Sequence, residues 1–257
     1  MLAGLKEKRI IRRNGVSFEV DLSEGVDLSL FLLGAFQRNV TKSSQFALPW
    51  DAIIIDVGAN VGSISLPLAH ACPDGMVYAF EPTDFAFRKL ERNIRINPEL
   101  HGNVEAIRSL VSSSCGEGPC TKIFSSWKLA QKDSTRHQVH HGTAMEATGV
   151  QTTIDTFVKQ RGLHRLDFIK IDTDGHEMEV LAGAVESISR FRPVIVFELT
   201  IYLLEEKGLS FSGFEDIFHP LRYQLVDTKS GKAINQDNYK QLVPDAGSTD
   251  VVALPEC

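Results

Sequence analysis

The chain has 257 residues, of which 43% are hydrophobic and 23% charged, the usage of an ordinary globular protein with enough apolar material for a continuous core. Its 27 basic and 33 acidic residues leave a formal net charge of −6, which gives no general attraction to phosphate backbones or anionic membranes and argues against a nucleic-acid partner. No stretch approaches the ~20 apolar residues of a membrane span, and Met1 to Arg13 lacks the apolar centre of a secretory signal, so the expected address is the cytoplasm.

Four cysteines, Cys72, Cys115, Cys120 and Cys257, have no C-x-x-C spacing and are too few for a disulfide scaffold. They read as free thiols of a reducing compartment. Along the chain, Val16, Phe18 and Val20 alternate with polar residues after Asn14-Gly15, which predicts a hairpin over about 9–21 closed by a type I′ turn. Residues 28–40 read as one mostly buried helix. The first fifty residues are thus expected to form a cap, and residues 51–257 the main domain.

After Pro49, short apolar runs alternate with helical stretches, the pattern of βαβ units and a parallel sheet covered on both faces. Strands are predicted at 53–57, 76–80, 104–107, 167–171, 194–199, 223–226 and 251–254. Helices are predicted at 61–71, 84–96, 154–160, 177–189 and 214–219, with a short edge element at 122–124. The fold class is therefore α/β, a mostly parallel seven-stranded sheet with helices on both faces. Residues 125–149 are polar and aperiodic, and a loop of that length in a compact domain is usually either functional or disordered. His137, His140 and His141 within it read as part of a solvated or substrate-covering segment rather than a metal site. Trp127 nearby is either a packed aromatic or a platform for a sugar ring.

The chemistry starts after the first strand, at Asp56-Val57-Gly58-Ala59-Asn60-Val61-Gly62. Glycines at 58 and 62 permit a tight turn and a close approach to a ligand, and the helix that follows offers N–H donors. In open α/β sheets ligands lie at the carboxyl ends of strands, where this turn falls. The third glycine of a dinucleotide fingerprint is missing. Instead Glu81 ends the second strand, placed to accept the hydroxyls of a ribose, and Asp56 favours a cationic ligand.

Three motifs together, D-x-G-A-N-x-G at 56–62, F-E-P at 80–82, and Lys170-Ile171-Asp172-Thr173-Asp174-Gly175-His176-Glu177 followed by Val180-Leu181-Ala182-Gly183-Ala184, resemble the FkbM family of methyltransferases. The likeness covers roughly residues 51–198. It implies a class I, Rossmann-like methyltransferase sheet, S-adenosylmethionine as cofactor, and an acceptor hydroxyl on a small molecule, sugar or glycan. By position, Asp56, Gly58, Ala59, Asn60 and Gly62 would wrap the amino-acid end of the cofactor. Glu81 and Pro82 would hold its ribose, Ser109 and Leu110 would border the adenine, and Asp172 would border the methyl group.

A hydroxyl is a weak nucleophile at neutral pH, so a base is wanted near Asp172. The candidates are Asp172 itself, His176 at the start of the next helix, and Glu198, a carboxylate that ends the apolar run 194–197 and needs a reason to be there. Asp172, Asp174 and Glu198 are alternatively the oxygen ligands of a divalent metal ion. Lys170 shares parity with Asp172 and Asp174 and is either a structural bridge or part of the site. Two rival readings are an NAD-dependent oxidoreductase and a methyltransferase-like module that binds without chemistry.

Overall fold

A computed structural model describes residues 8–34, 37–116, 122–125, 143–146, 150–244 and 247–256. The hairpin is β1 (Lys8–Arg13) and β2 (Val16–Asp21). Its turn residues Asn14 and Gly15 both have positive φ, 50° and 83°, as a type I′ turn demands. The expected single helix over 28–40 is two pieces, α1 (Gly25–Leu33) and α2 (Arg38–Thr41). Gly34 separates them: it takes a left-handed φ of 74°, and its N–H caps the carbonyl of Leu30, the way helices commonly stop.

The α/β core runs β3 (Ile53–Val57), α3 (Ser65–Ala71), β4 (Met76–Phe80), α4 (Asp84–Arg95) and β5 (Val104–Ile107). Next come β6 (Ser109–Val111), the backbone pair β7 (Lys122–Ser125) and β8 (Thr143–Glu146), β9 (Val150–Thr152) and α5 (Ile154–Arg161). The second half holds β10 (Phe168–Ile171), α6 (Glu177–Ala182), α7 (Val185–Phe191), β11 (Val194–Thr200) and α8 (Ile201–Glu206). The chain closes with α9 (Ser212–Phe218), β12 (Tyr223–Asp227), α10 (Tyr239–Leu242) and β13 (Ser248–Pro255).

Seven strands form the central sheet in the order β12-β13-β11-β10-β3-β4-β5. β13 is antiparallel to both of its neighbours, and the other strands are parallel. All seven were expected from the apolar runs. The edge element expected at 122–124 instead pairs with β8 apart from this sheet, and β6 pairs with β9. The helix expected over 177–189 breaks at Gly183, where an added Cβ would sit 2.2 Å from the carbonyl oxygen of Ser112. The helix at α3 begins four residues later than expected, because the glycine turn extends to Ile64 before helical pairing starts.

Two apolar layers cover the sheet. One holds Phe157, Leu181, Phe197, Phe214 and Phe218. The other joins Val16, Phe18, Val20, Leu30 and Val40 of the N-terminal segment to Ile54, Leu66, Phe168 and Val252. The described part of the N-terminal segment therefore shares a core with the sheet. From β3 the chain builds outward through β4 and β5 on one side, while β10 and β11 lie on the other. The strand order reverses between β3 and β10, and the carboxyl ends of those two strands define the ligand-binding crevice of a doubly wound sheet.

Candidate active site

Asp56 lies in β3 and is fully buried; its Oδ2 accepts from the Ser65 hydroxyl at 2.5 Å. Lys170 is its register partner across the β3–β10 pair. The Lys170 ammonium sits 3.5 Å from Asp56 Oδ1 and 3.3 Å from Asp172 Oδ2, and donates to the carbonyl of Gly58 at 3.4 Å. Burial opposes its charge, but the two carboxylates overcome that and push its pKa upward. Lys170 is thus the bridge between the two sides of the switch point.

The glycine turn is bound mainly to the protein itself. Gly58 and Ala59 N–H groups both donate to the carbonyl of Phe80, at 3.0 and 2.9 Å, and Gly62 N–H to Ala59. Gly58 has φ 78°, and a Cβ there would fall 1.8 Å from the carbonyl oxygen of Asp172. Its first requirement is therefore the close passage of β10's end, beyond the ligand approach expected from sequence. Asn60 also has positive φ, 49°. Its side-chain Oδ1 and Asp56 Oδ1 are buried without a hydrogen bond, acceptors suited to the ammonium of an amino-acid ligand.

Glu81 follows β4 and is buried. Oε2 accepts from the Asn60 N–H at 3.0 Å, and Oε1 from both the N–H and the hydroxyl of Thr83. Oε2 keeps one lone pair for a further donor. Burial pushes the carboxyl up, against the pull of those donors. Pro82, the next residue, is buried as well. Ser109 and Leu110 fall in β6, where the Ser109 hydroxyl donates to the carbonyl of Val150 and Leu110 is half-buried.

Past β10 the extended geometry ends. Asp172 N–H still donates to Val57 at 3.0 Å, but Asp174 takes a left-handed φ of 52° and Gly175 of 93°. Glu177 Oε1 ties this turn together by accepting from Thr173 N–H, the Thr173 hydroxyl and Gly175 N–H at 2.9, 3.0 and 3.2 Å. The turn brings carboxylate oxygens of Asp172, Asp174 and Glu198 within 4.8 Å of one another, all half-buried.

Glu198 Oε1 accepts from the Ser248 hydroxyl of β13 at 2.6 Å. Burial first, then the charge of Asp172, raise its carboxyl well above the ordinary carboxylate range. Its register partner Asp250 is pushed up to about 6 by burial and by Asp172. Tyr202 of α8 is raised too, by burial and then by Glu198 and Asp174. Burial is the largest cause of each shift, and the charge of the neighbouring carboxylates adds to it. His176 lies outside this group: its Nδ1 is 3.2 Å from the Lys207 ammonium and 3.4 Å from Glu179 Oε1.

By their departure from the family pattern, residues 37–50 and 125–149 were expected to decide acceptor specificity, but sequence reasoning did not single out Gln37, whose side-chain amide donates to Asp172 Oδ2 at 2.8 Å, or the β13 pair Ser248 and Asp250. Asp250 carries a readable signal, an acid beside the apolar run Val251-Val252-Ala253. Gln37 carries none, because the contact joins residues 135 positions apart. Among the described residues Cys72 and Cys115 are free thiols, as expected. His137, His140, His141 and Trp127 lie outside the described residues.

A doubly wound sheet with this topology, a glycine turn after β3 and an acid after β4 has the architecture of a class I methyltransferase. The chain belongs to the FkbM methyltransferase family: residues 56–225 match the Methyltransferase FkbM domain. It is 26% identical over 215 residues to methyltransferase sdnD of Sordaria araneosa, covering 71% of this chain and 83% of that one. It is 30% identical over 151 residues to the hexuronic acid methyltransferase AglP of Haloferax volcanii, 57% of this chain and 55% of that one. A crystal structure of methyltransferase FkbM from Methylobacillus flagellatus KT shares the fold, with a TM-score of 0.54 at 16% identity over 84% of this chain and 47% of that one. The chain thus spans about half the length of the last two. Among the described residues no helix is long and apolar enough to cross a membrane.

Proposed function

We propose that this chain is an S-adenosylmethionine-dependent O-methyltransferase acting on a hydroxyl of a sugar, glycan or natural product. The observation that carries the reading is Glu198, a carboxyl raised well above its ordinary range beside Asp172, at the carboxyl end of the sheet in a methyl-transferring family. A base poised nearer neutrality is what proton removal from a hydroxyl needs. A relative named as a hexuronic acid methyltransferase supports a sugar acceptor.

In this reading Asp56, Gly58, Ala59, Asn60 and Gly62 hold the amino-acid end of the cofactor, with Asn60 Oδ1, which has no hydrogen bond, and Asp56 Oδ1, which faces only the Lys170 ammonium at 3.5 Å, as acceptors for its ammonium. Glu81 and Pro82 take the ribose, and Ser109 and Leu110 flank the adenine. When bound, S-adenosylmethionine supplies a methyl group activated by its sulfonium. Asp172 orients the acceptor hydroxyl, and holding reactants in line is worth ~7–11 kcal/mol. Ser248 occupies Glu198 Oε1, leaving Oε2 to receive the hydroxyl proton. That transfer contributes roughly 10²- to 10⁴-fold in rate. His176 is the weaker candidate base, since Lys207 and Glu179 already engage its Nδ1.

The spacing of Asp172, Asp174 and Glu198 also favours a second reading, in which the three hold a divalent cation that lowers the pKa of the acceptor hydroxyl. Transfer that survives EDTA unchanged rules out the cation. The main test is tritiated methyl transfer from S-adenosylmethionine to a panel of methyl glycosides of neutral and acidic sugars. Calorimetry with the cofactor accompanies it. Heat with NAD and none with S-adenosylmethionine would sink the proposal. Glu198→Gln should lower kcat by roughly 10²- to 10⁴-fold with cofactor affinity retained.

A further inference from the structure

Gln37, in the N-terminal segment, donates to Asp172 at the heart of the site, and its surroundings define what it does. It precedes α2, and its carbonyl accepts from the Val40 N–H at 2.9 Å. Val40 is buried in the apolar layer beneath the sheet, so the position of Gln37 is anchored from below. Its own φ is 43°, a left-handed backbone that is uncommon outside glycine and worth a reason.

The side chain has two ends with different duties. A carboxylate only accepts hydrogen bonds, so the amide nitrogen must face Asp172 Oδ2 and the carbonyl oxygen must face elsewhere. Oδ2 then carries two donors, Gln37 at 2.8 Å and Lys170 at 3.3 Å, and this fixes the plane of the Asp172 carboxylate. The other end, Gln37 Oε1, is buried with no hydrogen-bond partner. A buried acceptor left unpaired costs about 1–3 kcal/mol, which a ligand donor would relieve.

We propose that Gln37 is a positioning and acceptor-recognition residue: its amide nitrogen orients Asp172, and its carbonyl oxygen receives a hydroxyl of the acceptor molecule. The inference rests on the O-methyltransferase reading for its second half only. It makes the N-terminal segment part of the reaction side of the sheet and gives the acceptor a hydroxyl contact separate from the base.

The test uses the full chain carrying Gln37→Met, which keeps volume and removes both polar ends, and Gln37→Glu, which keeps an acceptor oxygen but sets a like charge against Asp172. Amide exchange at Val40 and its α2 neighbours should quicken by about tenfold in Gln37→Met, with β3 and β10 unchanged. Unchanged exchange at α2 overturns the tie to Asp172. On whichever methyl glycoside the wild type turns over, Gln37→Met should raise acceptor KM about tenfold and lower kcat, with the Kd for S-adenosylmethionine within twofold. Gln37→Glu should lower kcat with KM closer to wild type. Loss of cofactor affinity with KM unmoved overturns acceptor recognition and assigns the donor to the cofactor's ammonium. Cofactor binding without turnover of any glycoside by the wild type removes the sugar-hydroxyl reading, and acceptor recognition with it, while amide exchange still decides the tie to Asp172.

Discussion

Gly58 shows how one residue serves both fold and site. With φ 78° and the Asp172 carbonyl 1.8 Å from any Cβ, alanine there forces β3's turn away from β10 or strains the backbone. Gly58→Ala should destabilise the chain by about 2–4 kcal/mol in urea unfolding and weaken cofactor binding with it. Asp250 makes a pH-dependent contribution of definite sign. Its carboxyl rises from 3.8 to about 6, by burial and then by Asp172, so between those values the folded chain holds a proton that the unfolded chain has lost. That contribution is full below pH 3.8 and is lost as pH rises to about 6. Asp250→Asn cannot titrate, so its stability relative to wild type should improve by roughly 2–3 kcal/mol between pH 4 and pH 7. Equal pH slopes for the two proteins would refute the assignment.

At the level of elements, the strands were legible because each central one is buried on both faces and must be a continuous apolar run, as in Ile53 to Val57 or Val194 to Phe197. Helix boundaries were less legible. The break at Gly183 depends on the carbonyl of Ser112 arriving from far along the chain, and α8 follows β11 with no intervening turn signal. Asp56, Glu81, Asp172 and Glu198 were readable as acids at strand ends, whereas Gln37 and Ser248 enter the site only through tertiary contacts. The turn after β10 also holds a sharp test. All three of its donors converge on one oxygen of Glu177, so Gln, which keeps one carbonyl oxygen, can replace Glu where Ala cannot. Glu177→Ala should cost about 2–4 kcal/mol and Glu177→Gln about 1 or less. Thermal unfolding of the two variants separates them.

At the scale of the molecule, the expected division into a cap and a main domain meets a structure in which the two share one apolar layer. The outer edge of β2 is not left open: the Ser17 N–H donates to Asn97, two residues past the end of α4, and the Glu19 N–H to Asn93 of α4, each at 2.8 Å. The Asn97 side chain also donates to the Asn93 carbonyl at 2.7 Å, which ties the two asparagines together against the strand. Asp27 and Lys89 form a further buried ion pair between α1 and α4. A hairpin locked in this way unfolds with the sheet, not before it. Amides of β2 should therefore exchange with the same free energy as those of β3 and β10, through global unfolding. Phe18→Ala, which empties a fully buried site in the shared layer, should lower the stability of all three strands together by about 3–5 kcal/mol. Exchange in β2 that outpaces β3 by several kcal/mol, or a Phe18→Ala effect confined to the hairpin, would instead make the N-terminal segment a separable unit.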